Sequence, residues 1–258
     1  MLAVGLWEFC GPRRQREFPA LRRRLGNLAI WLLNIVLAAS TFAPPHSFRL
    51  QLGTVLGARL PSWPIASQWL SLIAGFLLLD CLNYAVHRCQ HAVPLLWRFH
   101  ALHHSDPDVD VTTSVRHHPI EYLLATGFYW VVVLLLDIPV VVVVTHGLAA
   151  FAAAAVTHGN TRLPEWLERL LQPVVITLDL HLIHHSMSHA EANANFGAVL
   201  SVWDRLFGTL ARLRRVQQDR IVYGVRELPR RECVKPSAML LTPWRISRAA
   251  VADRADLA

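Results

Sequence analysis

Four long apolar stretches divide the chain, and each is long enough to cross or enter a bilayer. The stretches comprise residues 27–43, 68–86, 120–136 and 138–157. The last two are separated by Asp137 and Pro139. Each of these two has about 18 residues, or roughly 27 Å at 1.5 Å per residue, close to the thickness of the hydrocarbon core. The pattern predicts an all-α integral membrane bundle of about four spans.

The distribution of arginine predicts how these spans are oriented. The chain has 258 residues and a formal net charge of +7, carried almost wholly by arginine. Six arginines lie between Arg13 and Arg24, ahead of the first span. Because cytoplasmic flanks are enriched in Lys and Arg, the N-terminus is expected in the cytoplasm and the loop 44–67 outside. The charge and the apolar composition together favour a membrane surface over a nucleic acid as partner.

The predicted domain is flanked by two basic segments. Residues 1–26 are expected to be a cytoplasmic N-terminal segment, with its short apolar start the end of a truncated span. Residues 27–210 form the membrane domain, and residues 211–258 a basic C-terminal tail. Residues 164–172 are amphipathic, which is typical either of an interfacial helix or of a surface helix in a cytosolic cap.

Histidine is concentrated in three short motifs that follow helical spacing. His87-x-x-x-His91 continues the second predicted span, and His-x-x-His-His occurs twice. Residues at i, i+3 and i+4 share one face of a helix. Chance gives eight histidines at such spacings very rarely, so the pattern indicates metal binding. The eight residues are His87, His91, His100, His103, His104, His181, His184 and His185.

Two single histidines are predicted to complete the ligand shell. His118 precedes the third span and His158 follows the fourth, so both lie at the end of the bundle where the motifs meet. Asp80, two helical turns before His87, is predicted to orient a ligand imidazole through its free N–H. Neutral imidazoles bind Fe, Zn, Cu or Ni, and ten exceed what one metal ion uses. A two-metal centre follows, with iron and zinc both open.

The chain resembles the fatty acid hydroxylase/sterol desaturase superfamily of membrane diiron oxygenases over roughly residues 70–210. The resemblance is carried by Asp80-x-x-x-Tyr84-x-x-His87-Arg88-x-x-His91, Trp97-x-Phe99-His100-x-x-His103-His104-Ser105, Arg116-His117-His118-Pro119-x-Glu121, His158-Gly159-Asn160, His181-x-x-His184-His185-Ser186 and Trp203-Asp204-Arg205-x-Phe207-Gly208-Thr209. Phe196 departs from it, since Tyr is more usual there, and so does the short N-terminus.

The resemblance implies a bundle whose cytosolic helical cap holds two iron ions on the ten histidines. It implies O2-dependent oxidation of a lipid, with electrons from an external donor. The sequence has no GxGxxG, haem-attachment motif or Fe–S cysteine set, so that donor is expected to be a separate redox partner protein. Asp80, Asn160 and Asp179 are predicted to hydrogen-bond to ligands or else to cap helices.

Hydroxylation of a lipid C–H bond is the leading interpretation, and other activities stay open. A desaturase uses the same scaffold, and the sequence does not separate the two reactions. A zinc-dependent membrane hydrolase would use the same ligands without O2. A metal transporter is disfavoured because the histidines gather at one face and do not line a path through the spans.

Overall fold

The computed structural model describes residues 1–41, 63–65 and 67–246, which form helices, loops and two isolated β-bridges. In chain order the helices are α1 Leu2–Cys10, α2 Ala20–Thr41, α3 Gln68–Ala92, α4 Pro94–His104, α5 Pro119–Leu136, α6 Val140–Thr157, α7 Glu165–Leu171, α8 Leu178–His184, α9 His189–Ala192, α10 Val202–Leu206, α11 Arg215–Gln218, α12 Arg230–Cys233, α13 Pro236–Met239 and α14 Thr242–Arg245. Most of the predicted loop 44–67 lies outside the described residues, as does the chain after Ile246.

Within the described residues, four helices are long and apolar enough to span a membrane, namely α2, α3, α5 and α6. This confirms the predicted integral membrane bundle. Their outward side chains are largely apolar and exposed, as for Leu32, Leu70 and Leu148. Helices suit this position because they satisfy every backbone hydrogen bond internally. Helix α2 begins at Ala20, before the predicted start of the first span, and α3 continues past the predicted end to Ala92.

The turn between α5 and α6 forms where the sequence predicted it. Asp137 ends α5 with a positive φ of 53°, a left-handed conformation that Asp tolerates better than most residues. Pro139 is the N-cap of α6, which begins at Val140. The two helices therefore run in opposite directions, and the N-terminus of α5 and the C-terminus of α6 lie at the same end of the bundle.

The spans pack closely as two pairs, α3 with α6 and α2 with α5. Gly75 of α3 allows the first pair to approach, because a Cβ there would lie 2.6 Å from Cγ1 of Val142. Leu79, Val133, Ile138 and Val142 form a buried cluster beside this contact. Near the other end of the bundle, where the histidines lie, residues of all four spans line a cavity.

The N-terminal segment is folded into the cap that covers this end of the bundle. Glu8 of α1 is 1% exposed and accepts hydrogen bonds from the backbone N–H groups of Val111 and Asn160. Arg13 donates to Asp179 at 2.7 Å, and Arg23 to Asp106 at 2.8 Å. Arg13 and Arg23, which the sequence predicted to flank the membrane as exposed positive charges, form buried ion pairs instead.

The segment predicted as a basic C-terminal tail is described as far as Ile246. Residues 211–246 pack onto the cap through buried side chains that include Tyr223, Val225, Met239 and Ile246. The helices here have only four residues each, so their apolar positions show no helical period in the sequence. The amphipathic stretch 164–172 forms α7, with Trp166 and Leu170 exposed and Glu168 buried.

Candidate metal centre

The histidine motifs meet at the cap-facing end of the spans in two adjacent groups. Within each group the ligand nitrogens all lie within 4.8 Å of one another. The first group contains His87, His91, His100, His104 and His184. The second contains His103, His158, His181 and His185. Nine of the ten predicted ligands are thus brought together.

The two His-x-x-His-His motifs divide their residues reciprocally between the groups. On α4, His100 and His104 face the first group while His103 faces the second. At α8 the pattern is reversed, since His184 joins the first group and the pair four residues apart, His181 and His185, joins the second. Residues i and i+4 lie one above the other on a helix, whereas i+3 is rotated to the side. The motif spacing therefore supplies imidazoles to both groups from each of the two elements.

The distances between nitrogens fit a shared metal ion. The Nε2 atom of His158 lies 3.1 Å from that of His103, 3.0 Å from that of His181 and 3.1 Å from that of His185. One ring nitrogen carries at most one proton and cannot make three hydrogen bonds. Imidazole nitrogens about 2.0–2.1 Å from one ion lie roughly 2.9–3.4 Å apart. The second group has this geometry, and the Nε2 atoms of His184 and His87 in the first group are 3.0 Å apart.

Backbone carbonyls fix the orientation of several of these rings. The Nδ1 atoms of His87, His158 and His184 lie 2.8–2.9 Å from the carbonyl oxygens of Phe196, Ala154 and Ala194, respectively. An N–H at Nδ1 that donates to a carbonyl leaves Nε2 unprotonated and directed at the ion. Backbone carbonyls thus orient these three imidazoles by hydrogen bonding, the role that was predicted from the sequence for Asp80, Asn160 and Asp179.

Burial lowers the pKa values of six imidazoles in the two histidine groups. Desolvation lowers the pKa of His158 to about 4. It also lowers the pKa values of His103, His104, His181, His184 and His185 well below the usual range, helped by the neighbouring histidines. Metal ions bind the neutral form of histidine, so this environment suits ligation.

Glu121 is a functional residue to which the sequence analysis assigned no role. Its Oε1 lies 2.7 Å from Nδ1 of His100 and 3.1 Å from Nδ1 of His117, and it accepts a 3.3 Å hydrogen bond from Gln90. Glu121 also forms a capping box with His118 at the start of α5, a position where a glutamate is common without any functional role. Its burial, at 5% exposed, is the feature that marks it out.

The structure does not bring His118 to either group. Its Nδ1 accepts the N–H of Ile120 at 3.2 Å, and its Nε2 lies 3.2 Å from the carbonyl of Leu240. Both ring nitrogens are therefore engaged in capping α5 and holding the last part of the cap. His117 is nearer the centre, since its ring stacks on that of His103 at 4.7 Å between centroids.

The three residues predicted to support the ligands form hydrogen bonds to other parts of the chain. Asp80 accepts hydrogen bonds from the N–H groups of Val199 and Leu200, both at 3.1 Å, and from Nε1 of Trp203 at 2.9 Å. Asn160 bonds the backbone of Arg14, and Asp179 accepts from Arg13. Asp204 also holds this part of the chain, since it accepts hydrogen bonds from the N–H groups of Phe196 and Gly197.

A cavity of about 490 Å³ opens onto both histidine groups. All four spans line it, through residues such as Trp31 of α2, Asn83 of α3, Tyr129 of α5 and Phe151 of α6. Its floor includes His87, His100, His103, His158 and His181. A second, almost wholly apolar cavity of about 330 Å³ lies between α3, α4 and α5 and shares Gln90 and Glu121 with the first. An apolar molecule can thus approach the nitrogens from the lipid side.

One known protein family and several individual proteins are similar to this chain. The profile of the fatty acid hydroxylase family matches residues 72–209, more than half of the chain. Ornithine lipid hydroxylase OlsE of Rhizobium tropici is 34% identical over 147 residues, which are 57% of this chain and 43% of that protein. Alkylglycerol monooxygenase of Xenopus tropicalis is 29% identical over 171 residues, 65% of this chain and 35% of that protein.

Cholesterol 25-hydroxylase of Rattus norvegicus is 29% identical over 151 residues, 57% of this chain and 49% of that protein. The chain therefore spans less than half the length of these relatives. Among solved structures, none matches the chain significantly. The matched region contains both histidine groups and three of the four spans, α3, α5 and α6.

Proposed function

Since the chain belongs to the fatty acid hydroxylase family, we propose that it hydroxylates an unactivated C–H bond of a membrane lipid with O2. The observation that supports this most directly is the cavity between the spans that ends on both histidine groups. A hydrocarbon chain can enter such a cavity without crossing water. In the balanced reaction R–H, O2, two electrons and two protons give R–OH and H2O.

Two iron ions are the proposed cofactor, each held by one of the two histidine groups. When bound, they supply the activation of O2 and the removal of hydrogen from carbon. The chain contributes neutral ligands, the carbonyls that orient them, and Glu121, which positions His100. His118 is left out of this ligand set, and His117 is placed beside the second group through its contact with His103.

The proposed substrate class is a lipid with a long hydrocarbon portion. The two cavities offer apolar walls from α3, α5 and α6, including Leu82, Leu124 and Phe128. The relatives named above act, by their names, on an ornithine lipid, alkylglycerols and cholesterol, all of which carry large hydrocarbon portions. The metal centre is proposed to face the cytoplasm, where a separate redox protein supplies electrons.

Isotope labelling tests the reaction. Membranes from cells that express the chain, or its His184→Ala variant, are supplied with NADPH, a ferredoxin and its reductase under 18O2. We expect a lipid product heavier by one 18O atom that is absent with His184→Ala and absent without reductant. A product lighter by two hydrogen atoms would identify a desaturase. Label from H2 18O with anaerobic turnover would identify a hydrolase and overturn the proposal.

A further inference from the structure

A second concave surface lies on the outer side of the cap, away from the lipid-facing cavity. It encloses about 790 Å³ between α7 and residues 212–218. Glu165, Glu168, Arg169 and Gln172 line it from α7, on the side of that helix away from the exposed Trp166 and Leu170. The apolar side suits the bilayer surface, so the concave side faces water.

The floor of this concavity is the helix that carries metal ligands. Asp179, Leu180 and Ile183 of α8 line the concavity. His181 and His184 project from the same helix into the two histidine groups. A single helix, about 10 Å across, therefore separates water at the cap surface from the metal centre. An electron that is transferred to the chain at this concavity would cross only α8 to reach a histidine of the metal centre.

The concavity is positively charged at its rim. Arg212 and Arg214 are exposed, and neither forms an ion pair with any acidic side chain in the described part of the chain. The nearby carboxylates are already neutralised: Asp179 by Arg13, and Glu165 by Arg169. Burial, followed by the charge of Asp179, raises the pKa of Glu168. An acidic molecule is complementary to this rim.

We propose that this arginine-rimmed concavity is the docking site for an acidic one-electron donor protein. The proposal rests on the proposed function, because hydroxylation needs two electrons from outside the chain. Two reduced donor molecules are each oxidised by one electron. The two electrons and two protons reduce one atom of O2 to water, while the other atom enters the C–H bond. The lipid cavity remains free for substrate because it opens on the opposite side of α8.

A charge-reversal experiment tests the docking site with a plant-type [2Fe–2S] ferredoxin as the donor. Arg212→Glu/Arg214→Glu is compared with Arg226→Glu/Arg231→Glu, which changes two exposed arginines outside the concavity. The dissociation constant for oxidised ferredoxin is measured by calorimetry with detergent-purified protein. The KM for reduced ferredoxin is measured alongside turnover driven by dithionite and methyl viologen, which need no protein docking.

For the Arg212/Arg214 variant we expect the dissociation constant and the KM for ferredoxin to rise roughly tenfold, in line with electrostatic steering. Dithionite-driven turnover should be unchanged. The effect should shrink at high ionic strength, since salt screens exposed charges. Equal ferredoxin binding by the two double variants would overturn the docking site.

Two other outcomes separate the alternatives. In the first, ferredoxin does not bind the wild type, reduced flavin mononucleotide drives its turnover, and the Arg212/Arg214 variant loses that turnover. The concavity then holds a small anionic cofactor, and the docking proposal is wrong. If no reductant supports turnover in the wild type, the proposed function fails, while the calorimetric comparison still decides whether the concavity binds the donor.

Discussion

At the scale of single residues, the imidazoles of His117 and His118 have different surroundings although the two residues are adjacent. The ring of His117 stacks on that of His103, a member of the second histidine group. The side chain of His118 accepts the N–H of Ile120 and caps α5. Helical spacing identifies i, i+4 pairs such as His87/His91, which share a helix face, but it does not reveal a capping contact of this kind.

Metal content separates a ligand from a capping histidine. His184→Ala removes a member of the first group and should lower bound metal from about two ions per chain to about one. His118→Ala should retain both ions and lose only about 1 kcal/mol of stability, as for other helix caps. Elemental analysis of purified protein checks this. Equal metal loss in both variants would restore His118 to the ligand set.

At the scale of elements, Asp80 connects span α3 to a loop that supports the centre. Its carboxylate holds Val199, Leu200 and Trp203, and the same loop presents the carbonyl of Phe196 to His87. The sequence predicted that Asp80 orients a ligand directly. Asp80 instead bonds to residues about 120 positions further along the chain. The helical periodicity of α3 does not predict a contact over that sequence distance.

Asp80→Asn should loosen this loop. The amide nitrogen would replace one carboxylate oxygen and oppose one or two of the three donors, so we expect a loss of about 1–3 kcal/mol and faster hydrogen exchange across residues 196–203. Asp219→Asn, which alters an exposed pair with Arg162, should change stability by less than about 1 kcal/mol and leave that exchange unaffected. Mass-spectrometric exchange in detergent measures both. Identical exchange in the two variants would contradict the linkage.

At the scale of the whole molecule, the spans were predictable and the cap was not. Apolar runs of about 18 residues have few alternatives in a membrane protein. The cap is built from short helices and buried ion pairs such as Arg23 with Asp106 and Asp110. Such pairs join residues far apart in the chain. From the sequence alone, a run of arginines is therefore equally consistent with a solvent-exposed segment beside the membrane.

The two ends of the bundle should lie in different compartments. Ser67 is exposed just before α3, and Asp219 is exposed on the cap at the other end of that helix. In a background without the four native cysteines, Ser67→Cys should react with an impermeant maleimide in intact cells, and Asp219→Cys only after lysis. The reverse pattern would place the metal centre outside the cytoplasm.

The reciprocal division of the two motifs has a consequence for biosynthesis. When the ribosome has made residue 104, four of the five members of the first group exist, but His103 alone represents the second. His184 and His185 then emerge together, after all four spans, and complete both groups at once. If each group holds one ion, as proposed, neither ion can have its full ligand set until residue 185 has been made, after all four spans. Complete metal loading would therefore follow synthesis of the last span.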